Sequence, residues 1–259
     1  MHRVEMVRNQ AGKARDIFSN FLQGIPLEQD RIEFRASFHL RPTSGEKVTI
    51  VSTLPSAPMR GIYCSLKELP RELRMLRDVL GKSGQDEQRK LLKVHGFEER
   101  KTINFREEDA QAAYIRNAIL HPNGMIFVAS EFVLFGFEDT IGKTAKLDVL
   151  MYQDGVLYDI EFKNERNAPK EGDIGYSSIS QAQYYAIHMN DSKRIGTYAS
   201  CLAAFPNAEI GTISVVRGIA VVPQPQGNSS RKLEKAAKAA NVELWEFSTD
   251  GAIKKVTLE

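Results

Sequence analysis

Hydrophobic and polar positions alternate strictly over residues 31–40, RIEFRASFHL. Ile32, Phe34, Ala36, Phe38 and Leu40 fall on one side, and Arg31, Glu33, Arg35, Ser37 and His39 on the other. A period of two predicts a half-buried strand. KVTIVSTL and MRGIYCSL follow, each bounded by Pro or Gly, and extend it into a small antiparallel meander behind a helix around residues 9–23. The period then lengthens. LKELPRELRMLRDVL reads as a helix, and GKSGQDEQ at 81–88, where Gly, Ser and polar residues cluster, reads as a linker. From about residue 100 the pattern mixes. The order is a helix (REEDAQAAYIRNAIL), a strand (IFVASEFVLFGF), a hairpin (AKLDVLMYQDGVLYDIEFKNE), a helix (SISQAQYYAIHM), a strand (RGIAVVP), a helix (SSRKLEKAAKAA) and a last strand (VELWEF). That order predicts an α/β fold with a central mixed sheet flanked by helices over residues 101–259, preceded by a smaller α+β region over residues 1–100. PQPQGNSS reads as a surface loop.

The hairpin carries the chemistry. Asp154-Gly155 suits a type I′ turn, which needs positive φ at both central positions. With Gln153 opposite Val156, Leu147 faces Phe162, Val149 faces Ile160 and Met151 faces Tyr158, so one side of the hairpin is apolar. The same register sets Asp148 across from Glu161 and puts Lys163 on the Glu161 side. Counted from the turn, Asp148 and Glu161 form a non-hydrogen-bonded pair with Cβ atoms about 5 Å apart. Two carboxylates at that separation repel by about 3 kcal/mol at an effective dielectric near 20. A hard divalent cation would offset the repulsion, since Mg²⁺ takes oxygen ligands from one or two carboxylates and completes its shell with water and phosphate oxygens. Lys163 could orient or help deprotonate a water, or stabilise charge developing in a transition state. The plainer alternative is a solvated hairpin face on which Lys163 neutralises Glu161.

Composition narrows the class without choosing the chemistry. Of 259 residues, 42% are hydrophobic and 26% charged, which excludes a disordered chain. A chain of this length buries roughly three quarters of its unfolded surface, enough for a sizeable core. A net charge of +2 permits a nucleic-acid partner without arguing for one. No apolar run approaches a membrane span, and the first residues, MHRVEMVRNQAGKARD, lack the apolar core of a signal peptide, so a cytoplasmic address is expected. Cys64 and Cys201 stand far apart with no CxxC, and both read as core residues. Five scattered His residues show no metal-ligand spacing, and there is no GxSxG and no Walker or Rossmann glycine loop.

An Asp on one strand and Glu-x-Lys on the next, here Asp148 and Glu161-Phe162-Lys163, resembles the signature of the PD-(D/E)XK nuclease superfamily. The resemblance covers roughly residues 105–247, and NucS-like, RecB-like and Shedu-type nuclease domains look nearest. Leu147 stands where the name-giving Pro would be, a position that is apolar in many members. The family places a Glu-bearing helix before these strands, matched by Glu107 and Glu108 in EEDAQAAYIRNAILHP. RecB-like members carry Gln-x-x-x-Tyr on the following helix, matched by Gln181 and Tyr185. Glu107 and Glu108 remain alternatives for one ligand, and either one suits a helix N-terminus for its dipole alone. Gln181 begins a polar stripe with Tyr185 and His188, opposite Ile179, Ala182, Ala186 and Met189, so it could equally face solvent.

The resemblance implies a restriction-endonuclease-like core and a metal-dependent nuclease acting on DNA in preference to RNA. Asp148, Glu161, the Phe162 carbonyl and one of Glu107 or Glu108 would hold Mg²⁺ or Mn²⁺. Lys163 would assist the attacking water, and Gln181 would join the catalytic set. Lys143 and Lys146 border the hairpin and could meet phosphate. Arg31, Arg35 and His39, and the row Arg71, Arg74 and Arg77, are further candidate nucleic-acid surfaces. The alternating first strand suits pairing across a two-fold axis, so a homodimer is expected. The competing reading is a non-catalytic nucleic-acid-binding or assembly module on the same fold.

Overall fold

The computed structural model describes residues 125–138, 144–163, 177–204, 210–223, 229–247 and 253–257, three N-terminal strands, and isolated helical positions between residues 5 and 74. The strands β1 (Phe34–Ser37), β2 (Lys47–Ser52) and β3 (Gly61–Ser65) form an antiparallel sheet in that order, the expected meander. The described helical positions near the N-terminus are Glu5, Arg8, Asn9, Gly12, Lys13, Asp16 and Ile17, and Ile17 packs on the main core. The helix expected over 106–120, the linker at 81–88 and the boundary near residue 100 lie outside the described residues.

A second sheet has six strands in the order β4-β5-β6-β7-β8-β9. They are β4 (Ile126–Glu138), β5 (Thr144–Gln153), β6 (Val156–Phe162), β7 (Val215–Pro223), β8 (Glu243–Phe247) and β9 (Ile253–Lys255). β6, β7 and β8 run parallel, and the remaining neighbours are antiparallel. Parallel neighbours require crossovers. Helices α1 (Ser178–Met189) and α2 (Ile195–Leu202) lead from β6 to β7, and α3 (Ser229–Ala240) leads from β7 to β8. The fold is therefore α/β, built on a mixed sheet. No helix among the described residues is long and apolar enough to cross a membrane.

Both faces of the sheet are buried. On one, Val149, Met151, Tyr158, Ile160 and Phe162 of the hairpin join Phe127, Ile219, Val221 and Phe247. On the other, Leu150, Leu157 and Val216 pack beneath Tyr185, Ala186, Met189, Tyr198 and Leu202 of α1 and α2. Ala220, Val222 and Leu244 meet Ile179, Ala182, Leu233 and Ala237 of α1 and α3. Each fully buried Leu, Ile or Phe in these layers contributes roughly 1.5–3 kcal/mol. Cys201 lies in this core as expected, and burial pushes its thiol up to about 12. The side chain of Cys64 lies outside the described part.

Two elements depart from expectation. Helix α2 is short and carries Gly196, but Ile195, Tyr198, Cys201 and Leu202 recur at helical spacing, and the last three are buried. Strand β9 follows the strand expected to be last, and it covers the β8 edge with Trp245 opposite Lys255.

Candidate functional site

The hairpin turns at Asp154 (φ 47°) and Gly155 (φ 84°), so both central positions are left-handed as a type I′ turn demands. Gln153 pairs with Val156, Met151 with Tyr158, and Val149 with Ile160, the expected register. There the ladder between β5 and β6 ends. Leu147, expected opposite Phe162, instead joins Phe132, Leu134 and Ala145 in the helix-side core, while Phe162 stays in the other layer.

Where the ladder ends, the two acids take over its hydrogen bonds. The Phe162 N–H donates to Asp148 Oδ2 at 2.9 Å, and the Asp148 N–H donates to Glu161 Oε1 at 3.2 Å. Each carboxyl group thus holds the backbone of the opposite strand. β6 meanwhile stays on β7, where the Lys163 N–H donates to Val221 O at 3.2 Å. Lys163 is the residue after the strand ends and is half-buried.

A third acid belongs to this cluster, and the sequence reading above did not single it out. Asp159 lies two residues before Glu161 on the same face of β6, opposite Leu150 on β5 and Gly218 on β7. Its signal was present in YDIEF, since strand alternation places it beside Glu161. Asp159 and Glu161 are 0% and 1% exposed. Burial raises the Glu161 pKa well above the ordinary carboxylate range, with further upward pushes from Asp148 and Asp159, and Lys163 and the Asp148 N–H offset this in part. Burial likewise raises Asp159, followed by the charge of Asp148, and the neighbouring Glu161 offsets this only partly, without meeting hydrogen-bond geometry. Repulsion within the Asp148–Glu161 pair is thus present, but burial is the larger cause.

Helix α1 closes the site from above. Ser177 caps it, its Oγ accepting from the Ser180 N–H at 3.1 Å. At the other end the Asn190 side chain clamps β7, donating to Val216 O at 2.7 Å and accepting from the Val216 N–H at 2.8 Å. In between, α1 descends onto Gly218, where a Cβ would lie 2.6 Å from Ala182 O. The polar stripe of α1 accordingly points inward. Tyr185 and His188 are buried, and Gln181 is half-buried. Burial raises the Tyr185 phenol, with added repulsion from Glu161, Asp159 and Asp148, and a hydrogen bond from Gln181 opposes this. Arg194 Nη1 donates to His188 Nδ1 at 2.9 Å. Arginine has no acceptor, so His188 carries its proton on Nε2 and donates it to Tyr198 Oη at 3.2 Å.

The structure therefore brings together Asp148, Glu161, Phe162 and Lys163 under the helix that carries Gln181. Glu107, Glu108, Lys143, Arg31, His39 and Arg77 lie outside the described residues. Lys146 is half-buried in β5, Arg35 lies in β1, and Arg71 and Arg74 are exposed. Among the described residues no three His, Cys, Asp or Glu side chains form a ready-made metal cage. Asp148 and Glu161 each direct one oxygen to a backbone N–H instead. Compared with models of known protein families, with curated proteins and with solved structures, the chain matches none.

Proposed function

We propose that this chain is a metal-dependent nuclease with a restriction-endonuclease-like core, hydrolysing phosphodiester bonds in DNA in preference to RNA. The observation that carries the reading is the crossed pair of bonds at the end of the hairpin ladder. It holds Asp148 and Glu161 on adjacent strands beside Lys163. A hydrophobic sheet gains little from a buried Glu161 and a half-buried Asp148 at the end of a ladder unless they serve a cation or a reaction. The inward-facing Gln181 and Tyr185 supply the matching helix.

The donors fit a hard cation, because all are oxygens. Asp148, Glu161 and the Phe162 carbonyl would hold Mg²⁺ or Mn²⁺, with Glu107 or Glu108 as a further candidate ligand. When bound, such an ion neutralises phosphate charge and lowers the pKa of water. Lys163 then orients the attacking water or stabilises charge on the phosphate oxygens. Tyr185 stays protonated and presents a hydroxyl rather than a charge.

The test is cleavage of single- and double-stranded DNA and RNA by wild type and Lys163→Ala, with Mg²⁺, Mn²⁺ or EDTA. Metal-dependent cutting lost in the variant is the expected result. Binding of intact substrate with no cutting under any metal favours the non-catalytic module.

A further inference from the structure

The charge of this chain is unevenly spread. Helix α3 carries Arg231, Lys232, Lys235 and Lys238 against one acid, Glu234, a net +3 in 12 residues, whereas the whole chain is +2. Leu233 and Ala237 bury the opposite side of the helix and Glu234 is half-buried, so the exposed side is basic. Arg231, Lys232 and Lys235 are exposed, and among the described residues none of the three has an ion-pair partner.

Their placement works against the helix itself. The first turn of α3 holds no acid, and its two cations sit at the positive end of the helix dipole. Arg231 and Lys235 are one turn apart, where like charges repel. A solvated face that served stability alone would carry Asp or Glu in that turn and mix its signs. An anionic partner offsets both repulsions.

The position of the row selects the partner. Helix α3 leaves from the end of β7 at which Phe162 pairs with Val221 and the Lys163 N–H bonds Val221 O, and it returns to start β8 at Glu243, opposite Ile219. Leu233 shares a core cluster with Val222 and with Ile179 in the first turn of α1. The first turns of α1 and α3 therefore flank the end of the sheet that carries Glu161 and Lys163. A lipid surface is the poorer match, because a helix lying on a membrane presents bulky apolar residues beside its cations. The one bulky apolar residue of α3, Leu233, is buried in the core.

We infer that Arg231, Lys232 and Lys235 form a surface that holds the sugar–phosphate backbone of a nucleic acid beside the site. The inference rests on the nuclease reading and adds where the substrate lies. Phosphate contacts position a nucleic acid without reading its sequence, so this row sets affinity and orientation rather than base preference.

The experiment is fluorescence anisotropy of labelled duplex DNA with the full chain in EDTA over a series of salt concentrations. It compares wild type, Arg231→Gln/Lys235→Gln, and a charge-matched control, Lys193→Gln/Arg217→Gln. Lys193 follows the C-terminus of α1 and Arg217 lies near the start of β7, both exposed and away from the Lys163 end of the sheet. Each phosphate contact contributes about 0.9 to the slope of log affinity against log salt, so the α3 variant binds more weakly, with a slope shallower by about two. The control keeps wild-type affinity and slope. Two charges that oppose the helix dipole are gone in the α3 variant, so it melts no lower than wild type and weaker binding is not loss of fold. Wild-type affinity and slope in the α3 variant overturn the proposal, as does equal weakening in the control or a wild type that binds no DNA. Vesicles of anionic lipid that lose binding in the α3 variant, with DNA binding unchanged, overturn it in favour of a membrane surface. DNA binding that depends on the row, with no cutting under Mg²⁺ or Mn²⁺, refutes the nuclease reading and leaves the surface standing.

Discussion

Gly218→Ala puts the seating of α1 to a direct test. A methyl at this position would lie 2.6 Å from Ala182 O, 2.8 Å from its carbonyl carbon and 3.1 Å from its Cβ. Those atoms include helix backbone, so no side-chain rotation clears the space. Restoring ordinary contacts of about 3.5 Å lifts α1 off β7 by roughly an ångström. Overpacking of this kind costs about 1–3 kcal/mol. At about 2–4 °C per kcal/mol for a chain of this size, the melting temperature falls by roughly 2–12 °C. On the proposed reading, cleavage is hit harder than stability, because α1 carries Gln181 and Tyr185 and a misplacement near 1 Å can cost about 10²-fold. The assay is calorimetric melting beside metal-dependent cleavage. Gly196→Ala is the control, since no atom lies within 4 Å of its added methyl. In the exposed first turn of α2 that change stabilises by about 0.4–1 kcal/mol. A Gly218→Ala protein that melts within about 1 °C of wild type refutes the reasoning.

Other expectations follow from the same contacts. Asn190→Ala removes both bonds to the Val216 backbone and leaves a half-buried N–H and C=O unpaired, a loss of about 1–3 kcal/mol in urea unfolding that an unchanged midpoint would contradict. In metal-free protein, Asp159 and Glu161 hold protons above the ordinary carboxylate pKa values of 3.8 and 4.5. The native state then binds more protons than the unfolded one, so stability falls as pH rises from those values through the raised folded pKa values. Urea unfolding in EDTA across about pH 4 to pH 7 reads this slope, which is shallower in Asp159→Asn. A stability that climbs with pH over that range in wild type, with the same slope in the variant, rules it out.

The parts legible in the sequence are those governed by local periodicity. SISQAQYYAIHM and SSRKLEKAAKAA are helical over their whole length, and the Asp154-Gly155 turn sets the register through Val149–Ile160. The parts that were not legible depend on distant chain. Strand alternation marks the sides of β6 but says nothing of what lies over them, so the depth of Asp159 follows only from α1 seated on Gly218. The inward direction of Tyr185 and His188 has the same origin, because α1 is buried on two sides and amphipathic reasoning assumes one. The departure at Leu147 is a competition between bonds, in which carboxylates capture the amides that an uninterrupted ladder would use. The two-residue turn sets where that ladder starts and the register in which it runs.

That turn also works as a gauge for the far end of the hairpin. The pairing counted from Gln153–Val156 delivers Asp148 and Glu161 to the same side of the sheet, several residues away from the loop. One residue inserted between Asp154 and Gly155 shifts the strands by a single step, and a single step exchanges the two faces of a strand. Asp148 would then meet Ile160 or Phe162, with Glu161 and Asp159 turned into the apolar layer. Length at this loop is therefore under the same constraint as the acids themselves. A chain that keeps every acid and Lys163 but gains one turn residue would lose the site.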